Sequence, residues 1–237
     1  MIDDGRVAVI TGATGVLGRV VTETFARDGV RVVVVGRDKA RLDQLAQEFQ
    51  LSTGSWLPVV ADLRRPEAAS NVVSATLEEF GRLDVLIHLV GGWSGGTPIV
   101  ELDPGELTGM LDQHVWTTLN ITKAAVPVMI EAGWGRVIAI SSPVASDPGA
   151  RGASYAIAKA GEELILRTLA RELRGTGVTA NVVLVRAIDE KHERDRDPTP
   201  KNAAWTTPEE IASAMLLLSS PGSESMTGGR IPLFTAG

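Results

Sequence analysis

Val7-Ala8-Val9-Ile10-Thr11-Gly12-Ala13-Thr14-Gly15-Val16-Leu17-Gly18 is the stretch from which the rest of the chain is read. Its first four residues form a short apolar, β-branched run, as a strand buried on both faces requires. Glycines at 12, 15 and 18 then turn the chain into a helix that ends near Asp28-Gly29. Arg31 to Val35 supplies a second strand. A glycine-rich turn between a first strand and a first helix lets backbone amides and the helix N-terminus approach a pyrophosphate. The opening therefore predicts a βαβ unit that binds a dinucleotide.

The alternation continues outward from there. A helix over 41–49 precedes a strand over 57–62, and a helix from Pro66 to Phe80 ends at Gly81. The strand Val85 to Val90 runs into Gly91-Gly92-Trp93-Ser94-Gly95-Gly96, and one long helix from about Pro104 to Ala132 follows, with a break expected at Pro127. Strand Val137 to Ile140, helix Ser154 to Arg174, strand Val178 to Val185, helix Pro208 to Ser219 and a short strand Ile231 to Phe234 complete the count. Strands alternating with helices demand a parallel sheet covered on both faces. The fold class is thus α/β: one doubly wound, Rossmann-type sheet of about seven strands, forming a single domain over 1–237. The polar stretch Asp189 to Thr206, with Pro198 and Pro200, predicts a mobile lid over a site.

Composition narrows the classes of function. A length of 237 residues suits one large domain. The net charge of −6, with no basic block, argues against nucleic acid or a membrane surface as the main partner. The absence of cysteine excludes disulfides, thiol nucleophiles and thiolate metal sites. His88, His114 and His192 form no closely spaced pair, so no metal site is expected. Met1-Ile2-Asp3-Asp4-Gly5 lacks a basic segment followed by an apolar one, and no apolar run reaches membrane-spanning length. A soluble cytoplasmic protein is expected.

The candidate chemistry lies between Ser142 and Lys159. A strand ends at Ser141-Ser142, and Tyr155-Ala156-Ile157-Ala158-Lys159 opens a helix. A helical spacing of four sets the Tyr155 phenol and the Lys159 ammonium on one face. A free tyrosine has a pKa of about 10, so Lys159 is expected to lower it by stabilising the phenolate. The Ser142 hydroxyl, arriving from the strand, can hold a substrate oxygen beside the phenol. Such a group protonates a carbonyl being reduced or takes the proton of an alcohol being oxidised. Without the glycine turn upstream, a Tyr and a Lys four apart would read as a solvated pair.

With these residues in this order, the chain resembles the short-chain dehydrogenase/reductase family over essentially its whole length. The resemblance implies catalytic roles for Ser142, Tyr155 and Lys159. It also implies an NADP or NAD site built from Gly12, Thr14, Gly15, Val16, Leu17, Gly18, Arg37, Asp62, Leu63, Val90, Gly91, Tyr155, Lys159 and Ile188, with Asp62 at the adenine. Thr207-Pro208-Glu209-Glu210-Ile211-Ala212 and Thr227-Gly228-Gly229 resemble the family's C-terminal helix and last-strand motifs. Locally, Gly91 to Gly96, Gln113-His114-Val115-Trp116 and Ala204-Trp205-Thr206 are similar to the dihydropteridine reductase branch and its bacterial relatives. In that reading Trp93 and Trp205 wall a flat substrate; in the alternative they fill core or subunit contacts.

Several positions depart from the family pattern. Val16 stands where a middle glycine is usual, His88-Leu89-Val90-Gly91 replaces Asn-Asn-Ala-Gly, and Val185-Arg186 replaces Pro-Gly. His114 aligns with the family's catalytic Asn; it either carries protons itself or is a packed, hydrogen-bonded structural residue. The second strand ends Val34-Val35-Gly36-Arg37-Asp38, with Gly at the position of the usual ribose-binding carboxylate and Arg37 beside it. Arg37 suits a 2′-phosphate, so NADPH is expected over NADH, with Asp38 as the residue that would take the ribose otherwise.

The expected function is NAD(P)(H)-dependent reduction of a small carbonyl, or oxidation of the matching alcohol. The alternatives are a quinonoid dihydropteridine reductase-like activity, a cofactor-binding regulator with little turnover, and a structural subunit. Apolar residues beyond one core stripe, Leu164, Ile165, Leu166 and Leu169, suggest a helical interface, and the resemblance implies a homodimer or homotetramer.

Overall fold

Successive side chains of a strand point to opposite faces, and each face of this sheet has its own core. Val7 and Val9 of β1 (Val7–Thr11) pack with Val33 of β2 (Arg31–Gly36), Leu86 of β4 (Val85–His88) and Val137 of β5 (Gly135–Ser141). Their neighbours Ala8, Ile10, Val32, Val34, Ile87 and Ile138 build the opposite core. Burial on both faces is why these strands read as continuous apolar runs. With β3 (Trp56–Val60), β6 (Val178–Leu184) and β7 (Arg230–Pro232), the strands pair in parallel in the order β3-β2-β1-β4-β5-β6-β7. This computed structural model describes residues 5–51 and 54–234, so Met1-Ile2-Asp3-Asp4, on which the leader expectation rests, lies outside the described residues.

Helices α1 (Val16–Arg27), α2 (Lys39–Glu48) and α8 (Pro208–Leu218) cover one face; α3 (Pro66–Phe80), α5 (Thr117–Glu131) and α6 (Ala153–Glu172) cover the other. Local signals set their ends. Gly81 closes α3 at φ 72°, and Thr207 and Glu210 form a reciprocal capping box at the start of α8. The strand order reverses between β1 and β4, which opens a crevice at the carboxyl ends of these strands. Among the described residues, no helix is long and apolar enough to cross a membrane.

Two expectations are corrected, and the expected lid has structure of its own. The helix expected over 104–132 is interrupted not at Pro127 but at Asp112–Trp116, a π-helical turn between α4 (Pro104–Leu111) and α5. Pro127 sits inside α5 on its exposed side, where water can serve the carbonyl that the missing N–H leaves unbonded. Leu166 belongs to the core rather than to the apolar surplus of α6, whereas Leu164 is 58% exposed. The stretch expected as a mobile lid contains α7 (Glu193–Arg196) and is tied to the body. The Asp189 carboxylate accepts the N–H groups of Glu193 and Arg194 at 2.8 and 2.9 Å, and the Arg194 guanidinium pairs with Glu210 at 2.8 Å.

Candidate active site

The crevice above β1 and β4 holds two adjoining cavities that share Gly12, Gly15, Leu89 and Gly91, one of about 300 Å³ and one of about 940 Å³. The glycines are there for space. Gly12 has φ +68°, and a Cβ on it would stand 2.9 Å from the Leu89 carbonyl; a Cβ on Gly18 would stand 2.2 Å from the Gly12 oxygen. The turn therefore lies tight against the β4 loop, and α1 starts just after Gly15, its N-cap, with no side chain capping it. Open amides at a helix N-terminus, facing a cleft, suit the pyrophosphate of a dinucleotide.

The smaller cavity is the polar end. Thr14, Arg37, Asp62, Leu63 and Val90 line it, joined by Arg41, which the sequence reading did not single out. The signal for Arg41 was Asp38, whose carboxylate caps α2 by accepting the Arg41 N–H at 3.3 Å and so sets the first turn of that helix beside the cleft. Asp62 accepts hydrogen bonds from Arg64, which hold its carboxyl down at about 2. No ion pair ties Arg37 among the described residues.

The larger cavity gathers Val16, Leu17, Gly18, Trp93, His114, Ser142, Tyr155, Lys159 and Ile188. Ser142 stands at the end of β5 and Tyr155 in the first turn of α6. Gly161 allows α6 to approach the π turn, since a Cβ there would lie 2.8 Å from Val115 Cγ2. The indole of Trp93 is 71% exposed against this cavity, while Trp205 is not among its lining residues. Of the two tryptophans expected to wall a flat substrate, the structure brings only Trp93 to this cavity.

Beneath Tyr155 lies a buried polar cluster. Lys159 Nζ donates to the Ile140 carbonyl and to Glu162 Oε2, each at 2.8 Å. The same carboxylate oxygen is 3.2 Å from His114 Nδ1, and His114 Nε2 is 2.9 Å from the Gly92 carbonyl oxygen. His88, in β4, places Nδ1 2.9 Å from the Thr11 hydroxyl and Nε2 3.3 Å from the Thr117 hydroxyl. Burial pushes His88 down to about 4, with Glu162 opposing and Lys159 and His114 reinforcing the shift. Burial would raise the Glu162 carboxyl, but Lys159 and the His114 hydrogen bond outweigh it and keep the group below the usual carboxylate range.

The phenol departs from expectation. Burial raises the Tyr155 pKa above its ordinary value; Lys159 lowers it, as the spacing suggested, but Glu162 works against Lys159, and a Ser142 hydrogen bond does not restore the balance. Glu162 is the residue that sequence reasoning missed. Its signal was position: three residues after Lys159, it shares the helix face that the ammonium occupies.

Known proteins resemble this chain in sequence and in fold. The family model described as short chain dehydrogenase matches residues 6–200. A short chain dehydrogenase of Pseudocercospora fijiensis is 34% identical over 73% of this chain, which spans only 57% of that relative's length. The 1,6-dihydroxycyclohexa-2,4-diene-1-carboxylate dehydrogenase of Pseudomonas putida is 29% identical over 97% of this chain and 91% of its own. Among solved structures, a 3-ketoacyl-(acyl-carrier-protein) reductase from Brucella melitensis, complexed with NADH, superposes with a TM-score of 0.86 at 26% identity, covering 97% of both chains.

Proposed function

Since this chain belongs to the short chain dehydrogenase family, we propose that it is an NAD(P)(H)-dependent oxidoreductase that reduces a small carbonyl compound, or oxidises the corresponding alcohol, at Ser142, Tyr155 and Lys159. One observation carries this reading: the three side chains line a single cavity that is continuous with the glycine turn. Gly12, Gly15 and the start of α1 hold the pyrophosphate, Asp62 and Leu63 the adenine end, and Lys159 and Ile188 the nicotinamide end. When bound, the nicotinamide supplies or accepts the hydride.

The chain's own residues handle the oxygen and its proton. Tyr155 donates the phenolic proton to the developing alkoxide, and the Ser142 hydroxyl orients the substrate oxygen. Lys159, anchored by Ile140 and Glu162, presents a fixed positive charge to the phenol. Burial holds the phenol above its ordinary pKa, so at neutral pH it carries the proton that the developing alkoxide takes up. Arg37 and Arg41 at the mouth of the smaller cavity, with Asp38 committed to capping α2, support NADPH over NADH. The 189–206 segment, of which Glu190 lines the larger cavity, forms a substrate lid fastened to α8 through Arg194 and Glu210.

An apolar groove between α5 and α6, lined by Leu119, Val126, Pro127, Leu164, Ile165 and Leu169, supports assembly into a homodimer or homotetramer.

The test is a panel of ketones, diketones and quinonoid dihydropterin assayed with each reduced cofactor. The expected result is turnover that Tyr155→Phe lowers by about 10²- to 10⁴-fold, with cofactor binding retained. NADPH binding without turnover of any compound would favour the regulator, and no cofactor binding would favour the structural subunit.

A further inference from the structure

The cluster under Tyr155 contains a carboxylate that the proposed proton transfer does not require. Glu162 is fully buried, its Oε2 is shared by Lys159 and His114, and its Oε1 is buried with no hydrogen-bond partner among the described residues. A buried carboxylate is costly unless it is paired, and here two groups pair it from two elements, α6 and the π turn. The ionised carboxylate only accepts hydrogen bonds, so the proton between it and His114 belongs on Nδ1. With its proton on Nδ1, a neutral ring accepts the Gly92 N–H at Nε2, 3.4 Å away; donation from Nε2 to the Gly92 carbonyl oxygen at 2.9 Å requires the second ring proton as well. Glu162 thus orients the imidazole and fixes its Nδ1–H, while also holding the ammonium.

We propose that Glu162 is a positioning residue whose buried negative charge, shared between Lys159 and His114, offsets the ammonium beneath Tyr155 and sets how firmly the phenol keeps its proton. The catalytic meaning rests on the reading of Tyr155 as the proton donor, but the charge relationship does not. The titratable groups around the phenol are Lys159 and Glu162 on α6 and His114 on the π turn, with His88 on β4 behind them, acting on Glu162, Lys159 and His114 rather than on the phenol. The other charged side chains of the cavity, Arg151, Arg186 and Glu190, are exposed. The neighbouring buried carboxylate, Glu163, is engaged elsewhere, accepting from Ser141 at 2.8 Å and from Arg230 at 2.7 Å.

Tyr155 is the only tyrosine in the chain, so the ultraviolet absorbance of the phenolate in the ligand-free protein reports this group alone. Glu162→Gln keeps the size and one acceptor but removes the charge. The expected result is a phenolate midpoint lower by about one pH unit or more than in the wild type, with Glu162→Asp and Glu163→Gln near the wild-type value and far-UV circular dichroism unchanged. An unmoved midpoint in Glu162→Gln, or an equal shift in Glu163→Gln, would overturn the proposal. Should Glu162→Gln fail to fold, ¹⁵N NMR of the wild-type histidines decides: a proton on Nδ1 of the ring that disappears in His114→Asn supports it, and an unprotonated Nδ1 there rules it out. Since neither measurement uses turnover, a protein that reduces nothing in the carbonyl panel can still show the shift, and an active one can fail to.

Discussion

The rings of His114 and Tyr155 meet edge to face, with centroids 5.7 Å apart and planes inclined at 73°. The imidazole thus packs against the phenol, bonds the carboxylate that anchors Lys159, and reaches the Gly92 carbonyl in the cavity wall. His114→Asn restores the residue type usual in the family but is too short to reproduce these contacts. Loss of the ring pair and of a hydrogen bond to a buried charge should destabilise the fold by about 1–3 kcal/mol, read as a lower urea midpoint with unchanged slope. An unchanged midpoint would show that the imidazole carries no structural weight.

The cofactor preference can be tested at Arg37. A charge-assisted contact to a phosphate contributes about 1.5–3 kcal/mol, so Arg37→Ala should weaken NADPH binding by about ten- to a hundredfold and leave NADH binding nearly unchanged. Fluorescence titration with both reduced cofactors measures it. Tighter NADH binding in the wild type, insensitive to Arg37→Ala, would assign the ribose end to a carboxylate instead.

The sheet was legible because strands buried on both faces must be apolar throughout, and runs such as Val32-Val33-Val34-Val35 have no other use. Helix ends were legible where one residue sets the backbone, as at Pro66 and Gly81. The break at Asp112–Trp116 was not, because a π turn needs no Pro or Gly and is held by tertiary contacts such as the close approach at Gly161. Of the site, the Tyr155 and Lys159 pair follows from helical spacing alone. The balance of charge around it depends on burial, which no local pattern reveals, and so both Glu162 and the raised phenol escaped the sequence.

The proposed assembly through α5 and α6 predicts a specific sensitivity. Leu164 is 58% exposed yet lines the apolar groove between the two helices. Leu164→Glu, which would bury a charge at such an interface, should shift sedimentation at micromolar concentration toward the monomer while leaving the circular dichroism of the fold intact. A wild-type protein that sediments only as a 25.1 kDa species would remove the basis of this prediction.

His88 makes stability sensitive to mild acid. It is 1% exposed, lies between the Thr11 and Thr117 hydroxyls, and has a pKa pushed by burial to about 4, against 6.5 for a free imidazole. Between these values the unfolded chain binds a proton that the folded chain does not, so stability is fully present above the unfolded value and falls as pH drops through that window. From pH 7.5 to 5.5 the loss should be about 1 kcal/mol, over a range in which most carboxylates stay ionised. Urea midpoints taken across that range, compared with His88→Asn, isolate the contribution: the variant should start lower at pH 7.5, for want of the imidazole's hydrogen bonds, and then lose less on acidification. Parallel pH dependence in the two proteins would mean that His88 is charged, or solvated, in the native state.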